Sequence, residues 1–136
     1  MQNAAFSIIS YQFDKVSIDL SNHTCSELLL DFETNGHYSK SDSTYILTFV
    51  VKVFNKDQID MPFISVQCKG VFKFENVTSL EEIPAFFYRN AIAILFPYVR
   101  AYVSLVSTQA NVPGVILPTL NLSNLEDALR KSTTQE

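Results

Sequence analysis

The apolar residues of this chain change their period once, a little past its midpoint, and that change limits the folds open to it. Upstream they recur at every second position, the period of a strand with one covered face. Tyr45, Leu47, Phe49, Val51 and Val53 fall on one side of the segment from Thr44 to Asn55. Ile64, Val66, Cys68, Gly70, Phe72 and Phe74 do the same from Pro62 to Glu75, against Ser65, Gln67, Lys69, Lys73 and Glu75. Downstream, Leu95, Val99, Tyr102, Val103 and Val106 recur at helical spacing. One backbone cannot satisfy both periods, so strands come first and helices second. The expected class is α+β, an antiparallel sheet with helices on one face.

Two further strands are expected earlier. Phe6 to Phe13 is rich in apolar and aromatic residues, followed by Val16, Ile18 and Leu20 alternating with Ser17 and Asp19. Leu28, Leu30 and Phe32 alternate with Leu29, Asp31 and Glu33. Asn35-Gly36 and Ser39 to Ser43 read as a polar connection, and Asn55 to Asp60 as a turn. Ser79-Leu80-Glu81-Glu82 has capping-box spacing and predicts a short helix. Asn90 to Ala110 reads as mostly helical, with Pro97 either opening its regular part or kinking it. Asn111 to Asn121 reads as an irregular apolar loop. Ser123-Asn124-Leu125-Glu126 predicts a second capped helix, through about Lys131. Residues 1–131 thus make one domain, and Ser132 to Glu136 are expected to fray.

Composition narrows the function. Hydrophobic residues make up 47% of the 136 and charged residues only 18%, against roughly 25% charged in typical soluble domains. A chain this small with so few charges leaves apolar groups outside, and those need a second copy or a ligand. The net charge of −4 and the scattered Lys and Arg disfavour nucleic acid. The first residues, Met1 to Phe6, lack the pattern of a secretion signal. The longest apolar run, Ala91 to Phe96, falls short of the ~20 residues of a membrane span. A cytoplasmic location without a membrane span is expected, and Cys25 and Cys68 then read as reduced thiols.

Catalytic chemistry finds little to stand on. His23 and His37 lie in polar segments away from any nucleophile motif. His23 and Cys25 have no second ligand cluster, so no metal site is expected. Three glycines, Gly36, Gly70 and Gly114, do not build a phosphate-cradling loop. Glu81 and Glu82 point apart on a helix and suit its first turn. The expectation is a non-enzyme without cofactors. The unusual feature is apolar placement. Val112 to Pro118 is an apolar connector stiffened by two prolines, which either packs on the chain's own core or a neighbouring subunit, or walls a groove. Leu28, Leu30 and Phe32 are open to the same two readings.

Asn90 to Arg100, with its Leu95-Phe96-Pro97-Tyr98-Val99-Arg100 core, resembles the signature stretch of the SecB chaperones. Gly70-Val71-Phe72 resembles the family's last strand, Glu27 to Thr34 its second strand, and Pro113 to Asn121 its connecting loop. The resemblance implies a four-stranded antiparallel sheet with a long and a short C-terminal helix, assembled as a dimer of dimers, most simply a homotetramer. It implies ATP-independent holding of unfolded polypeptides and delivery to the motor SecA, or service to an antitoxin. Carried onto matching positions, the client-binding residues are Leu28, Leu30, Phe32, Val115, Leu117, Leu122 and Leu125, with Leu105 and Val106 on the long helix. Asp19 matches one position of the acidic SecA contact; Lys15 stands where another acid is expected, with Asp14 adjacent to it, and the turn Asn55-Lys56-Asp57-Gln58 is less acidic than the family's.

Overall fold

The computed structural model describes residues 5–23, 27–118 and 122–136, with the backbone alone for Leu122. Five strands form one sheet in the order β1-β4-β3-β2-β5: β1 Ala5–Ile18, β2 Leu28–Ser39, β3 Thr44–Asn55, β4 Ile64–Glu75 and β5 Thr134–Gln135. Helix α1 (Ala85–Gln109) and helix α2 (Leu122–Ser132) supply the second layer. The α+β architecture follows the sequence reading, with five strands in place of four. The fifth comes from the terminal residues expected to fray.

The two inner strands behave as their alternation requires. Tyr45, Leu47, Phe49, Val51 and Val53 of β3, and Ile64, Val66, Cys68 and Phe72 of β4, are wholly enclosed. They face Phe87, Ala91, Ile92, Leu95, Val99 and Val103 of α1. By length and composition α1 is apolar enough to cross a bilayer. Here that composition makes it the core helix, with one face closed against the sheet.

Strand β1 is a single strand where the sequence reads as two segments. Its apolar residues Phe6, Ile8, Tyr11, Phe13, Val16 and Ile18 are spaced two, three, two, three and two apart. A regular strand would turn some of them away. Two bulges, at Ile9 and Asp14, each insert one residue opposite β4 and restore the parity. All six therefore pair with the covered face of β4, Phe6 with Phe74 through Ile18 with Ile64. Leu20 leaves the strand for a single 3-10 turn, Leu20–Asn22.

Asn35 and Gly36 lie inside β2, where the sequence suggests a connection. Gly36 is a packing requirement: a Cβ there would overlap the Tyr45 hydroxyl and crowd Thr133. The chain turns instead at residues 40–43, with Ser43 at φ 56°.

The boxed sequence at Ser79 makes only one 3-10 turn, Leu80–Glu82, in which Thr78 and Ser79 donate to the Glu82 carboxylate. Those bonds hold Glu82 below the usual carboxylate range, the Thr78 hydroxyl foremost. Helix α1 begins after Pro84, five residues before the expected Asn90, since a proline at the start removes no needed donor. Pro97 stays inside it. Helix α2 begins at Leu122, one residue before the expected cap. Ser123 and Glu126 turn to α1 instead: Arg89 donates to the Ser123 hydroxyl and pairs with Glu126 at 3.4 Å, which also meets Arg130 at 3.6 Å.

Candidate functional site

Helix α1 crosses the covered face of the sheet and leaves an apolar flank on either side. On the β1 flank, Tyr11 stacks on Tyr98 at 4.2 Å and Phe13 on Tyr102 at 4.0 Å, while Phe6 meets Phe87 edge-on at 4.8 Å. Parts of this ladder reach solvent: Tyr11, Tyr98, Phe86, Ile9 and Val16 are all exposed. Aromatic faces on the surface of so small a chain are unusual unless something covers them.

The β2 flank holds most of the residues that the resemblance singles out. Leu28, Leu30 and Phe32 share one face of β2, opposite Asn55, Val53 and Val51. They are half-buried, packed against the core from its edge, and Phe32 lies edge-on to Phe49 and Phe96. Leu125 of α2 is half-buried on the same core. The loop between the helices contributes alternately. Val115 and Leu117 are buried in the chain's own core, while Ile116 between them is 76% exposed. The loop is held by Ser107, enclosed in α1, whose hydroxyl donates to the Val103 carbonyl and accepts from the Val115 N–H at 2.8 Å. A depression of about 340 Å³ lies under Ile116, lined by Phe96, Pro97, Arg100, Ala101 and Ser104. Leu105 is exposed and Val106 half-buried, one turn further along α1. The side chain of Leu122 lies outside the described residues.

The acids expected at a motor contact are already engaged. Asp14 is a bulge residue whose carboxylate accepts from the Gln67 amide at 3.1 Å and pairs with Lys69 at 3.7 Å. Asp19 caps the following 3-10 turn through the N–H and hydroxyl of Ser21. Lys15 and Lys69 line a shallow polar depression on the open face of the sheet.

Among the described residues no three His, Cys, Asp or Glu converge as a metal set. His23 leans on Phe63, and Nδ1 of His37 meets Oγ1 of Thr134 at 2.9 Å. Cys68 is a free, buried thiol, pushed up to about 11 by burial; Cys25 lies outside the described residues. Burial also raises Tyr45 and Tyr88. These shifts come first from burial in the core. Ile116, Tyr98 and Phe86 were not singled out by the sequence reading, although the alternation Val115-Ile116-Leu117 would have placed Ile116 outward.

The fold resembles that of the Mycobacterium tuberculosis SecB-like chaperone Rv1957, solved in complex with a peptide of the HigA1 antitoxin. The TM-score is 0.62 at 17% identity, covering 85% of this chain and 91% of that one, a likeness of fold. An uncharacterized protein of Methanocaldococcus jannaschii, MJ0357, is 31% identical over 80% of this chain and 74% of its own length. The family described as preprotein translocase subunit SecB matches residues 16–131. With its signature helix packed as the core of an α+β sheet, and matched over most of its length, this chain belongs to the SecB family.

Proposed function

We propose that the chain is an ATP-independent, non-catalytic chaperone of the cytoplasm that holds unfolded polypeptide on its β2 flank and assembles through its β1 flank. The observation that carries this reading is the half-burial of Leu28, Leu30 and Phe32 at a sheet edge, beside a loop stiffened by Pro113 and Pro118. Unfolded chains expose apolar segments, and covering them yields about 25 cal/mol per Å² before ordering costs. Several shallow contacts along one edge give binding with little sequence preference. Val106 and Leu125 extend the contact, and Val115 and Leu117 shape its floor.

The β1 flank suits a like surface better than a varied client. Its rings are already stacked, so they offer a defined shape. A dimer of dimers with the α1 layers between the sheets would cover Tyr98, Phe86 and Leu105. Docking on SecA through Asp14 and Asp19 would have to displace Gln67, Lys69 and Ser21, so a dedicated partner such as an antitoxin is the second reading. The Mycobacterium tuberculosis relative with its antitoxin peptide favours it.

The test is suppression of aggregation of an unfolded test protein, without ATP, at rising ratios of chain to client. Protection that saturates at a simple ratio is expected. Leu30→Asp and Phe32→Asp are expected to weaken client binding roughly tenfold or more while the assembly keeps its mass. Loss of the assembly would place these residues in the core instead. No protection from folded material would shift the reading to a dedicated partner.

A further inference from the structure

Helix α1 carries two arginines and no acid, and the two are treated differently. Arg89 pairs with Glu126 of α2. Arg100, further along the helix, has no hydrogen-bond or ion-pair partner among the described residues. The sequence holds no Asp or Glu between Glu82 and Glu126, so neither the helix nor the loop that follows it can supply one. Arg100 is exposed, and it lines the depression of about 340 Å³ under Ile116.

The spacing of α1 on its loop side builds that depression. Pro97, Arg100, Ala101 and Ser104 recur at helical spacing and form one stripe of surface. Ala101 and Ser104 are short, which leaves room between Phe96 and the loop. Ile116 stands exposed beside them, because the loop's inward side chains are Val115 and Leu117. The loop comes closest to the helix at Gly114, where an added Cβ would lie 3.0 Å from Oγ1 of Thr108 and 3.9 Å from Oγ of Ser104. Leu28, Leu30 and Phe32 take no part in the lining. The result is an apolar recess with one unpaired cation in its wall. Its volume lies at the lower end of the ~300–1,000 Å³ range of small-molecule pockets.

We propose that this recess binds a free fatty acid of medium chain length, its carboxylate paired with Arg100 and its alkyl tail lying along Ala101 and Ser104 between Phe96, Pro97 and Ile116. A guanidinium presents a planar fork that takes a carboxylate through two parallel N–H···O bonds. The tail covers apolar surface that the fold leaves in water. The side chains of the recess offer one hydroxyl, on Ser104. That suits an alkyl chain, which has no polar groups to satisfy, better than the main chain of a peptide. The small volume favours one short chain over a two-chain lipid.

Calorimetric titration of the full-length chain with decanoate, kept below the concentration at which it forms micelles, tests the site. Decanoate is expected to saturate at one per chain. Decanol and decyltrimethylammonium are expected to bind about tenfold weaker or less, through loss of the charge-assisted pair. Arg100→Gln is expected to weaken decanoate about tenfold and to leave decanol unchanged. Ala101→Leu, which fills the recess without touching the charge, is expected to weaken decanoate and decanol alike. Equal binding of the three amphiphiles, or an Arg100→Gln variant that binds decanoate as the parent does, overturns the proposal. Binding of an apolar peptide with a free terminal carboxylate, where decanoate fails, also overturns it and makes Arg100 a peptide contact. Sedimentation of Arg100→Gln without ligand is expected to match the parent. A smaller species there would assign Arg100 to a carboxylate of a second copy and overturn the site.

Discussion

Two tyrosines on the covered face illustrate how much a single hydroxyl can decide. Tyr38 is wholly enclosed, and its hydroxyl has no partner among the described residues. Tyr45 is equally enclosed, but its hydroxyl lies 2.5 Å from Oγ1 of Thr133. Thr133 gives its own proton to the Leu129 carbonyl at 2.7 Å, so Tyr45 is the donor of the pair. The same substitution is expected to act with opposite sign at the two sites. Tyr38→Phe relieves a buried unsatisfied group and is expected to stabilise by about 1 kcal/mol, while Tyr45→Phe is expected to cost about 1 kcal/mol. Urea midpoints of the two variants check both signs. Cys68 supplies a pH dependence. Its thiol is raised from 9.0 to about 11 by burial, so the folded state holds its proton more tightly than the unfolded state. Its contribution is complete below pH 9.0 and is lost as pH rises through about 11. Midpoints measured across that window are expected to fall, and Cys68→Ala is expected to flatten the fall. Neither tyrosine's role was legible in the sequence, because their partners or lack of them come from residues far along the chain.

At the scale of elements, the terminal segment is a latch on β2. Ser132 bonds the Thr34 carbonyl, Thr133 meets Tyr45, β5 lies beside His37 and Tyr38, and Ser39 donates to the Glu136 carboxylate at 2.7 Å. The latch needs Gly36, because a larger residue would enter the space of the Tyr45 ring and Thr133. Gly36→Ala is expected to cost about 2 kcal/mol and to release the terminal residues, seen as faster amide exchange at Tyr38 and Glu136. Combined with Tyr45→Phe, its added cost is expected to shrink, since the hydroxyl is the first atom a methyl group would meet. The strands of the inner sheet were readable from alternation alone. Strand β1 was expected from its apolar content and the alternation at Val16 and Ile18, but its continuity was not, since its two bulges break the alternation, and their purpose appears only once β4 is set beside it. The tail was misjudged for a related reason: a short polar segment forms a strand only when an open edge is within reach.

On the scale of the whole molecule, α1 separates two apolar flanks with different characters, one built of stacked rings and one of half-open aliphatic residues beside a stiff loop. The proposed assembly places the first against a second copy. Tyr98→Glu, which puts a charge among these rings, is expected to shift the sedimenting species to smaller mass while the isolated chain keeps its helical signal, because the side chain is exposed in the monomer. Client binding on the β2 flank is expected to survive in the smaller species with reduced avidity.

The sequence by itself determined the order of the elements, the identity of the core helix and the family, because hydrophobic period and a short signature are local properties of the chain. It also named β2 and the loop as the places where apolar residues have two possible uses. Only the tertiary structure decided between those uses. Val115 and Leu117 go inward while Ile116 goes outward, and Leu28, Leu30 and Phe32 stay half-open, because burial depends on which distant element covers a side chain.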